Sequence, residues 1–475
     1  MHRLLIGFVL ALLLSSCGIM YKSLRYGKPK IDSEGIFAQD TLPPPAETFQ
    51  FYTASPQIQL PAPDIWTTDL EADTDVSPEA FLKAKKTASF LVIRNDSILY
   101  ENYFDGYQRD KPYVVFSLTK SFVSALIGIA IDKGHIQSID QPLADFIPEF
   151  AQDGRRHITI RHVLNMTSGL NRDDHGFIWW MAEIYYTKDL THYVTNIKQK
   201  YPPGEHFAYK SIDTQILGLC LERATNQRVS TLLNDWIWQP LGMEYPAYWN
   251  LDSPGGNAKM YGGLMVTPRD LARFGRLYLN GGQWNGKQIL PREWVTKTAS
   301  LDTSDGSWWA NELGWWHFTS NRPLGNKDLY AIGFSGQCLY IDPDNNTIIV
   351  RTGNSYADMT WGYSLSKMSA WLNKEPARTF PAPRLTHLEG TYLDNNGKQL
   401  QLFIREDGRL VAKFDGKKIT LLPETDHSFV SFDRWVKTVV DYSGDEVDKI
   451  EWWDRNNVAH NFYRQEVSPN TSSAN

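Results

Sequence analysis

Cysteine is scarce in this 475-residue chain, with one residue each at 17, 220 and 338, so no disulfide framework organises it. Cys220 and Cys338 both sit inside apolar segments; a single bridge between them stays open, and two buried thiols are the expectation. The eleven histidines include no His-Glu-x-x-His and no close cluster at ligand spacing, which leaves a metal mechanism without support. No Gly-x-Ser-x-Gly occurs, which argues against an α/β-hydrolase elbow, and no Gly-x-x-x-x-Gly-Lys followed by Ser or Thr offers a phosphate cradle. No cofactor is implied. With a formal net charge of -6 and no dense basic tract, nucleic acid is not an expected partner.

The length and a 42% hydrophobic composition suffice for at least one large core and for more than one domain. Residues 1–17, "MHRLLIGFVLALLLSSC", combine a short basic start, an apolar run from Leu4 to Leu14 too short for a comfortable bilayer span, and small residues before Cys17. This reads as an export signal. Its end resembles the bacterial lipobox, which would leave Cys17 as a lipidated first residue; an ordinary cleaved signal is the alternative. Gly18 is not the aspartate that retains many lipoproteins at the inner membrane, so the expected location is the bacterial cell envelope, lipid-anchored, with the outer membrane favoured.

Residues 18–63 are proline-punctuated ("TLPPPAE", "QLPAPD") and lack periodicity, and they read as a tether. Ser77-Pro78-Glu79 has the pattern of an N-cap with proline at the first helical position. "SFLVIR" and "SILYENY" read as a hairpin turning at Asn95-Asp96, and Thr267-Pro268-Arg269-Asp270 caps a later helix. Strand signals return at "LGWWHF", "DLYAIGFSG", "CLYIDP" and "TIIVRT", implying one sheet built from distant parts of the chain within residues 64–375. Residues 373–384 read as a linker. Over 385–467, Asn396-Gly397, Asp407-Gly408 and Asp415-Gly416 separate alternating runs, the pattern of a small all-β, barrel-like domain.

Chemistry concentrates at "VVFSLTKSFVSALIGIAIDKG", residues 114–134, where Ser117 and Lys120 lie one turn apart at the start of an apolar helix. Ser-x-x-Lys arises about once or twice by chance in a chain of this length. It does occur twice; at Ser364 and Lys367 a solvated lysine on an amphipathic helix is an adequate reading. Desolvation at the first copy would favour a neutral Lys120 amine able to take the Ser117 proton. A second proton carrier is needed, and the candidates with the pattern Tyr-x-(Asn/Ser) include Tyr209, Tyr248 and Tyr278. Tyr248 and Tyr278 read as packing residues, whereas the turn-rich "YPPGEHF" presents Tyr209 from a loop.

The segments "VVFSLTKSFVSALIGIAIDKG", "ITIRHVLNMTSGL", "PPGEHFAYKSIDTQILG", "GGLMVTPRDLARFGRLYLNGG" and "AIGFSGQCLYIDP" follow the order found in serine β-lactamase-like hydrolases. Over roughly residues 75–375 the chain resembles that family, which includes class C β-lactamases, D-amino-acid peptidases, esterases and nylon-oligomer (6-aminohexanoate-dimer) hydrolases. Its flavour is nearest to the last. The resemblance implies an α+β fold, an antiparallel sheet flanked by helices plus an all-helical lobe, followed here by the C-terminal β-domain. It implies Ser117 as nucleophile, Lys120 as base and Tyr209 as general acid/base, with Ser211 where class C enzymes carry an asparagine. The backbone N–H groups of Ser117 and Phe334 would form the oxyanion hole, with Gly333 admitting substrate.

The sequence departs from the family at the strand lining the site. Ala331-Ile332-Gly333 stands where many members have Lys-Thr-Gly or His-Thr-Gly, so carboxylate recognition by side chains is lost and efficient β-lactamase activity is not expected. Trp179 and Trp180 fall where relatives build part of the pocket wall and are candidates to touch an apolar group; Trp315-Trp316 reads as strand core. The expected partners are a small-molecule or short peptide-like amide or ester and a membrane, through the lipid anchor. The rival from another class is a catalytically silent relative that binds peptidoglycan or another envelope ligand.

Overall fold

The computed structural model describes residues 19, 21–27, 29–32, 35–69, 72–174, 178–300, 311–316, 328–356, 359–372, 385–404, 410–425, 428–431, 436–443, 446–453 and 459–464. The expected signal with Cys17, the linker 373–384 and the Asp407-Gly408 turn lie outside the described residues. The described residues fall into two compact units, those within 1–63, 73–317 and 327–357 in one, and those within 64–72 and 358–475 in the other.

In the first unit, Thr87–Arg94 and Ser97–Tyr103 make the hairpin expected from the sequence. Asn95 and Asp96 both take the left-handed backbone its two-residue turn requires, with φ of 50° and 58°. The hairpin joins an eight-stranded sheet in the order 311–312, 315–316, 329–333, 337–342, 347–353, 87–94, 97–103, 52–53. Thr347–Gly353 pairs antiparallel with Thr87–Arg94, joining the two ends of the fold. Strands 87–94, 337–342 and 347–353 are almost wholly buried, which explains their near-continuous Val/Ile/Leu/Phe/Tyr content.

Thr119–Asp132 is buried from Thr119 to Ala130, a helix apolar all round because neighbours cover every face. It packs on Ser211–Thr225, and Phe122 stacks on Phe274 with ring centroids 3.7 Å apart. Gly128 makes room for Trp294, since a Cβ there would lie 2.5 Å from the indole. The caps fall as read: Ser77 accepts from Ala80 N–H, and Thr267 from Asp270 N–H.

Residues 29–63, expected as part of a tether, are instead built into this unit. Gln39–Leu42 pairs with Ala247–Asn250, Tyr52–Thr53 lies parallel to Ser97–Ile98, and Ile31, Leu42, Phe51 and Leu60 are buried. Strands of two to four residues are too short to show a period, and the prolines around them mask it. A small sheet in the order 39–42, 247–250, 264–266, 113–114 results, and its last strand leads directly into Ser117.

In the second unit, eight antiparallel strands from Gly390 to Arg464 close into a barrel through pairing of Gly390–Leu393 with Ala459–Arg464. Tyr392, Leu400, Leu402, Phe429, Ile450, Trp452 and Phe462 fill it. Asp415 and Gly416 form a left-handed turn pair, with φ of 50° and 73°. Trp361–Leu372 belongs to this unit, where Trp66 packs beside Trp361 and Thr68 Oγ1 accepts from Thr360 N–H.

Candidate active site

Ser117 occupies the 3₁₀ turn Phe116–Leu118 immediately before the buried helix. Phe116 takes a positive φ of 48°, unusual for a bulky residue and a strain that the surrounding fold must hold. That hold comes from both sides: Val115 N–H donates to Leu264 O, and Gly333 abuts Val115 so closely that a Cβ would lie 2.1 Å from its carbonyl oxygen. Only glycine fits at 333.

Lys120 Nζ lies 3.0 Å from Ser117 Oγ, 3.3 Å from Ser211 Oγ and 2.8 Å from Tyr261 O. Ser211 donates its hydroxyl proton to Asp174 Oδ2 at 2.6 Å, so its oxygen is an acceptor toward Lys120. Tyr261 O can only accept. Two N–H bonds of Lys120 are thereby committed, and the third position of the nitrogen faces Ser117 Oγ. If the amine is neutral, that position is a lone pair able to take the Ser117 proton.

Burial favours the neutral amine. Lys120 is 5% exposed, and desolvation brings its pKa from 10.5 down to about 8, with Asp174 pulling the other way. Tyr209 sits on a loop, half-buried, hydrogen-bonded with Ser117, its ring centroid 5.1 Å from Lys120 Nζ. Desolvation first and the Asp174 charge second push its phenol well above the usual range, so it stays protonated. With the amine lowered and the phenol raised, the arrangement can hold a neutral amine beside a protonated hydroxyl.

Asp174 was not singled out from the sequence. Its carboxylate accepts from Ser211 N–H at 2.8 Å as well as from the Ser211 hydroxyl, capping the helix Ser211–Thr225, where an anion is favoured. Its own N–H donates to Tyr209 O at 2.9 Å. One residue thus ties the Tyr209 loop to the Lys120 network. Nothing local marks it, because Asp174 reaches Ser211 across 37 positions.

Phe334 opens the turn Phe334–Gly336 beside Ser117, its ring 5.5 Å from that of Phe116. Gln337 fixes this turn: fully buried, its carboxamide donates to Phe334 O at 2.9 Å and Gly353 O at 2.6 Å and accepts from Gly353 N–H at 3.0 Å. Arg351, also fully buried, donates to Gly336 O at 2.5 Å and Ser335 O at 3.4 Å. Gln337→Glu keeps the shape but faces two carbonyl oxygens with an acceptor. The expected outcome is a kcat at least about tenfold lower with KM changed less than about threefold, read by steady-state kinetics.

Of the other candidates, Ser211 is 2% exposed and lies behind Lys120, engaged with it and with Asp174. Trp179 and Trp180 fall in the helix Ile178–Tyr186, but their side chains lie outside the described residues, as does that of Trp316. Trp315 is fully buried, Tyr278 packs against Trp315 and Phe274, and Tyr248 is held in a strand. At the second Ser-x-x-Lys, Ser364 Oγ is buried with no hydrogen-bond partner among the described residues, and Lys367 lies over the Tyr363 ring. Cys220 and Cys338 are buried free thiols.

Residues 79–359 match the family described as Beta-lactamase, and the chain belongs to that family of serine β-lactamase-fold hydrolases. It is 29% identical over 297 residues to the 6-aminohexanoate-dimer hydrolase of Paenarthrobacter ureafaciens, covering 58% of this chain and 74% of that one. Among solved structures, a candidate 6-aminohexanoate-dimer hydrolase from Bacillus anthracis superposes with a TM-score of 0.63 at 23% identity, covering 74% of this chain and 95% of that one. The octameric penicillin-binding protein homologue from Pyrococcus abyssi gives a TM-score of 0.50 at 17% identity, over 81% and 97% of the two chains. These two structures share the fold.

Proposed function

We propose that the chain is an envelope serine hydrolase, anchored through Cys17, that cleaves an amide or ester through an acyl-enzyme on Ser117. The observation carrying this reading is the 3.0 Å contact between Lys120 Nζ and Ser117 Oγ, made by a buried amine whose other bonds are already committed. Ser117 Oγ attacks the carbonyl carbon as its proton passes to Lys120. The N–H groups of Ser117 and Phe334 receive the oxyanion. On collapse the bond to the leaving group breaks, Tyr209 protonates the departing amine or alcohol, and the Lys120 ammonium restores the Tyr209 proton. Water then attacks the ester carbon as its proton passes to Lys120, the bond from that carbon to Ser117 Oγ breaks, the acid departs, and Lys120 returns the proton to Ser117 Oγ.

The similarity to a 6-aminohexanoate-dimer hydrolase supports amides of ω-amino acids as one substrate panel. The absence of a cation at Ala331 and Ile332 supports poor action on penicillin-type carboxylates. Protein starting at Gly18 is expected to turn over at least one member of an ester, D-amino-acid amide or ω-amino-acid oligomer panel, with loss of that activity in Ser117→Ala. Rapid nitrocefin hydrolysis would contradict the substrate reading, and full activity in Ser117→Ala would end the mechanism.

A further inference from the structure

The oxyanion donor proposed at Phe334 carries its own side chain to the edge of the reacting centre, because a residue's Cβ is only two bonds from its N–H. That ring is 37% exposed, unusual for a phenylalanine. Tyr356, 38% exposed, meets it edge-to-face with centroids 6.3 Å apart, and Phe116, the residue before Ser117, meets it from the other side at 5.5 Å. The three rings therefore form one edge-to-face row that starts at the turn carrying Ser117. Ile332, half-buried and two residues before Phe334, lies on the strand face opposite Gly333 and its Val115 contact.

We infer that Ile332, Phe334 and Tyr356 form an apolar ledge that binds an uncharged, apolar group adjoining the scissile carbonyl, making such esters and amides the preferred substrate class. This rests on the serine-hydrolase reading of the site. A ledge covers one side of a chain, so each methylene laid on it gains about half of the full burial effect. A charged group there would lose water with no counter-charge on the ledge to replace it. Phe334 and Tyr356 remain open to solvent because the substrate, in this reading, completes their burial.

The test compares p-nitrophenyl acetate, butyrate and hexanoate with p-nitrophenyl hydrogen glutarate, and in a second arm acetates of ethanol, butanol and hexanol. In whichever arm the chain meets the ledge, kcat/KM is expected to rise about tenfold from the shortest to the longest member. The acyl and alcohol arms distinguish which side of the bond lies there. Phe334→Ala should flatten the longest-to-shortest ratio to within about twofold, and Phe334→Leu should keep it. Ile332→Lys should raise the glutarate-to-butyrate ratio about tenfold. Ratios within one variant are insensitive to a general loss of active protein. Ser117-dependent hydrolysis with a flat ratio in both arms, or with glutarate preferred, overturns the ledge and leaves the serine mechanism standing. Hydrolysis that survives Ser117→Ala, or wild-type protein that neither hydrolyses the panel nor reacts with a fluorophosphonate, overturns the mechanism and the ledge with it.

Discussion

Lys120→Met is expected to lower turnover by about three orders of magnitude while the thermal transition moves little. The loss follows from removing the base, worth about 10²–10⁴ in rate. The stability expectation follows from burial. A methionine fills similar volume and removes the cost of desolvating an amine that is 5% exposed, while leaving Tyr261 O without its donor. These two terms oppose each other. Lys120→Arg separates proton transfer from mere positive charge, because a guanidinium never becomes neutral in water's range. Arginine should be as inactive as methionine. Substantial activity in the arginine variant would mean that charge, and not a lone pair, serves Ser117.

The second large effect is on the pH profile of Asp174→Asn. With the Lys120 pKa near 8, the neutral amine is a minority species at pH 7, and kcat/KM should rise with pH and level off above about 8. The carboxylate of Asp174 raises the Lys120 pKa against desolvation, so its removal lowers that pKa and shifts the rising limb toward acid pH. The plateau should fall at the same time, by about tenfold, because Ser211 loses the acceptor that fixes its proton and the Tyr209 loop loses its tie. The two changes together are the signature of Asp174 acting through Lys120. A purely structural role would lower the plateau and leave the limb in place, and a shift toward alkaline pH would contradict the electrostatic assignment. In the same titration the protonated Tyr209 sets no limb near neutrality, since its phenol is held well above the usual range.

Much of this site was legible because its chemistry is local. Ser117 and Lys120 are one helical turn apart, and Tyr209 follows a proline- and glycine-rich approach that announces a loop. The barrel was legible from Asn-Gly and Asp-Gly turns between alternating runs, since those turns demand left-handed backbone. What escaped is long-range or carried by the backbone. Asp174 is one of two adjacent aspartates with no local pattern, and Tyr261 contributes only its carbonyl oxygen. Gln337 acts by holding Phe334 and Gly353 together, which no spacing reveals. Residues 29–63 failed for a different reason: Gln39–Leu42 is a strand only because Ala247–Asn250 lies beside it, and tertiary pairing outweighed a proline-rich composition.

The most direct test of the central claim is intact-mass labelling of protein starting at Gly18 with a fluorophosphonate, beside Ser117→Ala and Ser364→Ala. One adduct is expected on wild type and on Ser364→Ala, since Ser364 Oγ is buried with no hydrogen-bond partner among the described residues, and none on Ser117→Ala. Folded wild-type protein that takes no label, or label that persists in Ser117→Ala, would contradict an activated Ser117 and return the chain to the class of silent envelope binders.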